Sequence, residues 1–132
     1  MSEELELYRC EICNTIVEVV QGGAGALVCC GQEMTKIKEQ HDSEHSDRHV
    51  PTIEFDGVGK NRKVKIQVGK ELHPMINEHY IKFIEAISKD GVYLKRKVLH
   101  PNEEPKLEFL CDCEEMIVRE YCNLHGLWSV TI

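Results

Sequence analysis

From residue 49 to the C-terminus the chain alternates apolar and polar positions in short runs. Val64, Ile66 and Val68 are interleaved with Lys65 and Gln67. Residues 92–99 alternate more weakly, as does the series Leu107, Phe109 and Cys111, and Trp128, Val130 and Ile132 close the chain in the same period. A period of two places alternate side chains on opposite faces of a strand. Breaks fall at Asp56-Gly57, at Gly69, at Asp90-Gly91 and across residues 101–105, which hold two prolines. Short strands at this spacing predict an all-β sandwich or barrel. One segment dissents: Tyr80, Phe83, Ile84 and Ile87 recur at helical spacing. The segment is short, rich in isoleucine and set among strands, so it is read as a strand.

The first 38 residues follow a different pattern. A short β-type run over residues 15–20 and a glycine turn over 22–25 lie between Cys10-Glu-Ile-Cys13 and the adjacent pair Cys29-Cys30. So short a segment cannot bury enough apolar surface to fold alone, and a bound metal is the expected source of its stability. The glycines lack the spacing of a phosphate-binding loop, and no helix follows them. Residues 40–48 are wholly polar and read as a linker.

Charge narrows the function classes. Residues 1–39 carry seven acidic residues against Arg9, Lys36 and Lys38, a net of −4. Residues 40–48 add −2, and the remainder −1, which sums to the chain's −7. An acidic first segment excludes a zinc ribbon that grips nucleic-acid phosphates, which needs a basic footprint. No apolar run approaches the roughly 20 residues of a membrane span, and residues 1–8 lack the form of a signal peptide. A cytoplasmic location is expected, where thiols stay reduced and clustered cysteines are metal ligands before they are disulfides.

Cys10, Cys13, Cys29 and Cys30 supply the four thiolates of a tetrahedral zinc or iron, and the residue types leave the two metals equal. Seven histidines accompany them. His49 precedes Val50-Pro51, His73 precedes Pro74, and His79 precedes Tyr80. Cys122-Asn-Leu-His125 forms a turn-type chelating pair near the C-terminus. Cys111 and Cys113 share one face of a strand and read as ordinary strand residues; His41, His45 and His100 read as exposed.

Taken in order, Cys10-Glu-Ile-Cys13, the glycine turn with Cys29-Cys30-Gly31, His49-Val-Pro51, His73-Pro-Met75 with His79-Tyr80, and Arg119-Glu-Tyr-Cys122-Asn-Leu-His125-Gly-Leu-Trp128 resemble the desulfoferrodoxin family over nearly the whole chain. The resemblance implies a desulforedoxin-like iron domain at 1–38, a linker at 39–48, and a neelaredoxin-like, immunoglobulin-like β-sandwich at 49–132. It implies one iron on Cys10, Cys13, Cys29 and Cys30, and a second on His49, His73, His79 and His125 with Cys122 as axial ligand. It further implies a homodimeric superoxide reductase that forms hydrogen peroxide and is re-reduced by a rubredoxin-like donor. Five ligands exceed the needs of a structural zinc and leave one position for substrate. Family members often place Glu-Lys before the first histidine; this chain has Asp47-Arg48. Arg48 preserves a cation to attract superoxide but does not readily yield a proton, and Asp47 is one methylene shorter than the glutamate that caps the resting ferric ion in the family; the resemblance implies catalytic roles for both. The competing expectations are an iron–sulfur-type electron carrier and a zinc-stabilised binding module without catalysis.

Overall fold

The computed structural model describes residues 1–41, 46–57, 62–112 and 115–132, and it divides into two compact units, Met1–Lys38 and Glu39–Ile132. The first unit contains β1 (Leu7–Arg9), β2 (Ile16–Glu18), β3 (Val28–Cys29), β4 (Gln32–Glu33) and β5 (Thr35–Lys36). β1 pairs with both β2 and β5, and β3 pairs with β4 as a separate hairpin. Among its described apolar residues only Leu7, Cys10 and Val19 are buried. That core is too small to hold 38 residues by the hydrophobic effect.

The second unit begins with β6 (Glu39–Gln40), followed by the single helical turn α1 (Ser46–His49). Seven strands follow: β7 (Pro51–Asp56), β8 (Arg62–Val68), β9 (Ile81–Ser88), β10 (Leu94–Val98), β11 (Lys106–Cys111), β12 (Met116–Cys122) and β13 (Gly126–Thr131). They form a five-stranded sheet ordered β10-β9-β12-β13-β6 and a three-stranded sheet ordered β11-β8-β7. The all-β sandwich expected from the alternation is thus present. The expected linker at 39–48 is partly built into this unit, because Glu39 and Gln40 pair in parallel with Leu127 and Trp128. Residues 42–45 of that stretch lie outside the described residues.

Between the sheets lies a core of Val64, Ile66 and Val68 from β8, Ile84 and Ala86 from β9, Leu107 from β11, and Met116, Val118 and Cys122 from β12. Cys122 is therefore a core residue at one end of the apolar layer. The helical spacing of Tyr80, Phe83, Ile84 and Ile87 arises because β9 carries apolar side chains on both faces: Ile84 joins the core, while Phe83 stacks on Tyr121 and Ile87 is buried on the other face. β9 and β12 run in register from Met116↔Ser88 to Tyr121↔Phe83, then shift so that Cys122 faces Ile81. The slip leaves Lys82 without a partner in β12, so Ile81 and Ile84, three residues apart, both join the core.

The opposite face of the five-stranded sheet carries a charged ladder. Arg96 bonds Glu85 at 2.6 Å, Arg119 bonds Glu85 at 2.8 Å, and Arg119 reaches Glu39 at 3.2 Å. Glu85 is fully buried, and its pairing on both sides compensates that desolvation. Cys111, expected to be an ordinary strand residue, is disulfide-bonded. Cys113 lies outside the described residues.

Candidate metal centres

In the first unit, Cys10, Cys13, Cys29 and Cys30 converge with all four sulfurs within 4.8 Å of one another. Their adjacency in pairs has a backbone explanation. Cys29 is the last residue of β3, paired with Gln32, so Cys30 and Gly31 form a two-residue hairpin turn. Both have positive φ, 53° and 77°, the signature of the turn that suits twisted strands. A continued strand would send Cys30 to the opposite face; the left-handed turn folds it back beside Cys29. On the other side, the Asn14 N–H bonds the Cys10 carbonyl at 2.9 Å and the Cys13 N–H approaches the Cys10 sulfur at 3.5 Å. Sulfur separations of 3.6 Å (Cys13–Cys29) and 4.0 Å (Cys29–Cys30) bracket the edge of about 3.8 Å expected for a tetrahedron with metal–sulfur bonds of about 2.3 Å. Bonding from Thr15 pulls the Cys13 thiol down to about 6, while hydrogen bonding with the neighbouring cysteines pushes Cys29 up to about 12 and raises Cys30. Without a metal the cluster therefore holds its negative charge on Cys13 first.

In the second unit, His49, His73, His79, Cys122 and His125 converge within the same limit. The rings form a closed quadrilateral. Neighbouring centroids are 4.7 Å apart for His49–His73, 4.5 Å for His73–His79, 5.0 Å for His79–His125 and 4.7 Å for His125–His49. The His49–His79 distance is 6.4 Å, close to the diagonal of a square with those edges. His49 Nε2 lies 3.0 Å from His73 Nε2 and 3.1 Å from His125 Nδ1. Ligands at right angles and about 2.1 Å from a metal sit about 3.0 Å apart. The Cys122 sulfur is 3.5 Å from His73 Nε2 and 3.8 Å from His125 Nδ1, near enough to serve as a fifth donor. His79 Nε2 is buried without a hydrogen-bond partner, an atom that needs an acceptor of its lone pair or proton. Both donor sets fit iron.

Each donor is placed by its own element. His49 ends α1, which is stitched to the turn after β8: the Lys70 N–H bonds the Asp47 carbonyl at 2.9 Å and the Gly69 N–H bonds the Val50 carbonyl at 3.2 Å. At Gly69, φ is +81° and an added Cβ would meet the Arg48 and Glu71 carbonyl oxygens at 2.7 Å, so only glycine permits this approach. His73 Nδ1 lies 2.7 Å from the Pro74 carbonyl oxygen; donation there leaves Nε2 for a metal. The His125 carbonyl accepts from Gln40 Nε2 at 2.7 Å and from Trp128 Nε1 at 3.1 Å. The Trp128 ring stacks on His49 at 5.1 Å, so one buried side chain braces two of the histidines.

Burial sets the electrostatics. Removal from water pushes His73 down to about 4, with the neighbouring histidines acting in the same direction, and it also lowers His79. Neutral imidazole is the metal-binding form. Burial raises the Cys122 thiol, while the N–H groups of His125 and Leu124 oppose that rise. The His73 shift gives a testable sign. Above pH 6.5 the folded and unfolded chains both hold this ring neutral; between 6.5 and about 4 the unfolded chain takes a proton the folded one refuses. Metal-free protein is therefore expected to lose stability over that window as pH falls. Chemical denaturation midpoints should show a smaller loss in His73→Asn than in the parent.

Asp47 and Arg48 sit in α1 with exposed side chains. Arg48 is close enough to contribute to the lowering of His79. Asp47 is not among the converging donors and pairs with Lys70 at 3.7 Å. His41 bonds the Ser129 carbonyl, and His100 pairs with Glu103 on the surface. His45 lies outside the described residues. Sequence reading missed Glu120, which shares the inward face of β12 with Cys122. It is fully buried, neither carboxylate oxygen has a partner, and burial raises its pKa well above the usual range. Its only advance signal is its place two residues before Cys122 in an otherwise apolar inward row.

A β-sandwich whose core ends in a square of histidines beside a buried cysteine sulfur, carried on one chain with a four-cysteine unit, defines a two-centre non-haem metalloprotein. Comparison with known proteins is specific. The model of the desulfoferrodoxin N-terminal domain matches residues 2–37, and that of desulfoferrodoxin matches residues 39–131. The chain is 44% identical over 129 residues to a desulfoferrodoxin homolog of Archaeoglobus fulgidus, covering 98% of each. It is 36% identical over 105 residues to a superoxide reductase of Pyrococcus furiosus, covering 63% of this chain and 85% of that one. The crystal structure of the superoxide reductase from Treponema pallidum superposes with a TM-score of 0.74 at 26% identity, covering 98% of this chain and 99% of that one. The chain belongs to the desulfoferrodoxin family.

Proposed function

We propose that this chain is a superoxide reductase, converting one superoxide, one electron and two protons into one hydrogen peroxide at the His49, His73, His79, His125 and Cys122 centre. The observation that carries this reading is the square of four imidazoles with a fifth, sulfur donor from the core. These five residues would hold an iron ion and leave it room for one further small ligand. Iron bound there supplies one-electron chemistry tuned by an electron-rich thiolate.

The residues divide the remaining work. His49, His73 and Cys122 are buried and exclude water from one side of the site, while His79 and His125 are partly exposed. Arg48 attracts the anion, and the turn that carries it is tied down by the Lys70 N–H, which donates to the Asp47 carbonyl at 2.9 Å. Guanidinium keeps its protons near neutrality, so the protons of the product come from solvent. The tetracysteine site holds a second iron. The electron comes from a rubredoxin-like donor, and the protein works as a cytoplasmic homodimer.

Reduced, iron-loaded protein mixed rapidly with superoxide should consume it in a second-order reaction, and metal-free protein should not. Equal consumption by metal-free protein would refute the reading. Arg48→Glu is expected to slow that reaction roughly tenfold at low ionic strength. The gap from the parent should close as added salt screens the charge.

A further inference from the structure

His79 is the donor with the least direct support. His73 has the Pro74 carbonyl beside Nδ1 and His49 has the Trp128 ring against it, whereas His79 sits in the irregular segment between β8 and β9. Its backbone forms an isolated bridge with Ile76, whose two hydrogen bonds are each 3.1 Å long. The residues on either side of it, Glu78 and Tyr80, are gripped by one side chain.

That side chain is Asn123, the neighbour of Cys122. Its Oδ1 accepts from the Tyr80 N–H at 2.9 Å, and its Nδ2 donates to the Glu78 carbonyl at 3.0 Å. Its backbone N–H donates to the Tyr80 carbonyl at 3.2 Å. These bonds form where the β9–β12 register shifts, between Tyr121 and Cys122, so regular strand pairing does not fix the distance between the Cys122 and His79 segments. A primary amide meets the need: it offers an acceptor to one flanking peptide and a donor to the other within a single plane.

We infer that Asn123 is a positioning residue that fixes His79 relative to Cys122, joining an imidazole donor and the sulfur donor through one amide. The inference rests on the reading of His79 as a metal ligand and extends it. Asn123 touches neither metal nor substrate; it acts through the Glu78–Tyr80 backbone. Asp at this position keeps the acceptor for Tyr80 and sets a carboxylate oxygen against the Glu78 carbonyl. Ala keeps only the backbone bond.

The test uses the full-length, iron-loaded protein and reads metal retention. Loss of iron to a chelator is followed by the thiolate-to-iron charge-transfer absorption of the oxidised second centre, with the tetracysteine absorption as internal control. Asn123→Ala is expected to weaken iron retention at the second centre by about 10- to 100-fold and to shift its charge-transfer band. The tetracysteine spectrum should stay unchanged, and Asn123→Asp should fall between Ala and the parent. In a His79→Ala background, Asn123→Ala should add little. Unchanged retention and band position in Asn123→Ala would overturn the inference, as would an undiminished effect when His79 is already absent. If His79→Ala alone leaves retention unchanged, the ligand assignment fails as well, so the two failures are distinguishable.

Discussion

Cys122→Ser is expected to abolish superoxide reduction by more than about 100-fold while the sandwich stays folded. Loss of groups that only orient ligands costs 10- to 100-fold, and this change removes a donor outright. Serine is nearly isosteric, but its hydroxyl does not ionise as a thiol does, so the electron-rich anionic donor disappears. Cys122 is fully buried in the cluster that holds Ile84 and Val118. Exchanging sulfur for a hydroxyl there adds a desolvation cost of about 1–3 kcal/mol. That cost is tolerable beside the large apolar core and should appear as a modest fall in thermal midpoint. The four histidines still offer a nitrogen square, so some metal binding should persist without the thiolate charge-transfer band. Rapid mixing with superoxide, paired with the visible spectrum, checks both halves. Near-parental reduction by a variant without that band would remove the thiolate from the account.

Cys10→Ser is expected to unfold the first unit and leave superoxide reduction intact. Residues 1–38 bury three apolar side chains among those described, and metal binding to such a unit supplies folding energy of about 10–16 kcal/mol in comparable zinc-finger peptides. Cys10 is the buried member of the tetracysteine set, so its loss removes a ligand and part of that small core together. Amide resonances of residues 1–38 should collapse to random-coil positions, while those of the sandwich keep their dispersion. Superoxide consumption by prereduced protein should match the parent, because the histidine–cysteine centre draws every donor from residues 49–125. Loss of that reaction with the sandwich folded would place chemistry in the first centre.

The sequence was most informative where one physical demand acts alone. Alternation in β8, β11 and β13 was readable because one face of each strand meets the core. In β9 both faces carry apolar side chains, Ile84 toward the core and Phe83 and Ile87 away from it, and the sequence pattern imitates a helix. β12 gave little strand signal for the opposite reason: Arg119 and Glu120 are both buried, one in an ion-pair ladder and one in the core. The ligand types and their grouping were legible because cysteine and histidine are costly to cluster without a metal. Their geometry was not. The square emerges only when α1, the turn after β8 and the β12–β13 hairpin meet, and no local spacing encodes those long-range contacts. The roles of Trp128 and Asn123 were hidden for the same reason.

The most direct test of the proposed reaction is the yield of peroxide per superoxide consumed. Anaerobically prereduced protein is given limited superoxide while oxygen is followed alongside. A reductase gives one peroxide for each superoxide, with iron oxidised in step and no oxygen released. One peroxide for every two superoxides, with oxygen evolved, would mean dismutation and would contradict a reductase even with every ligand correctly assigned.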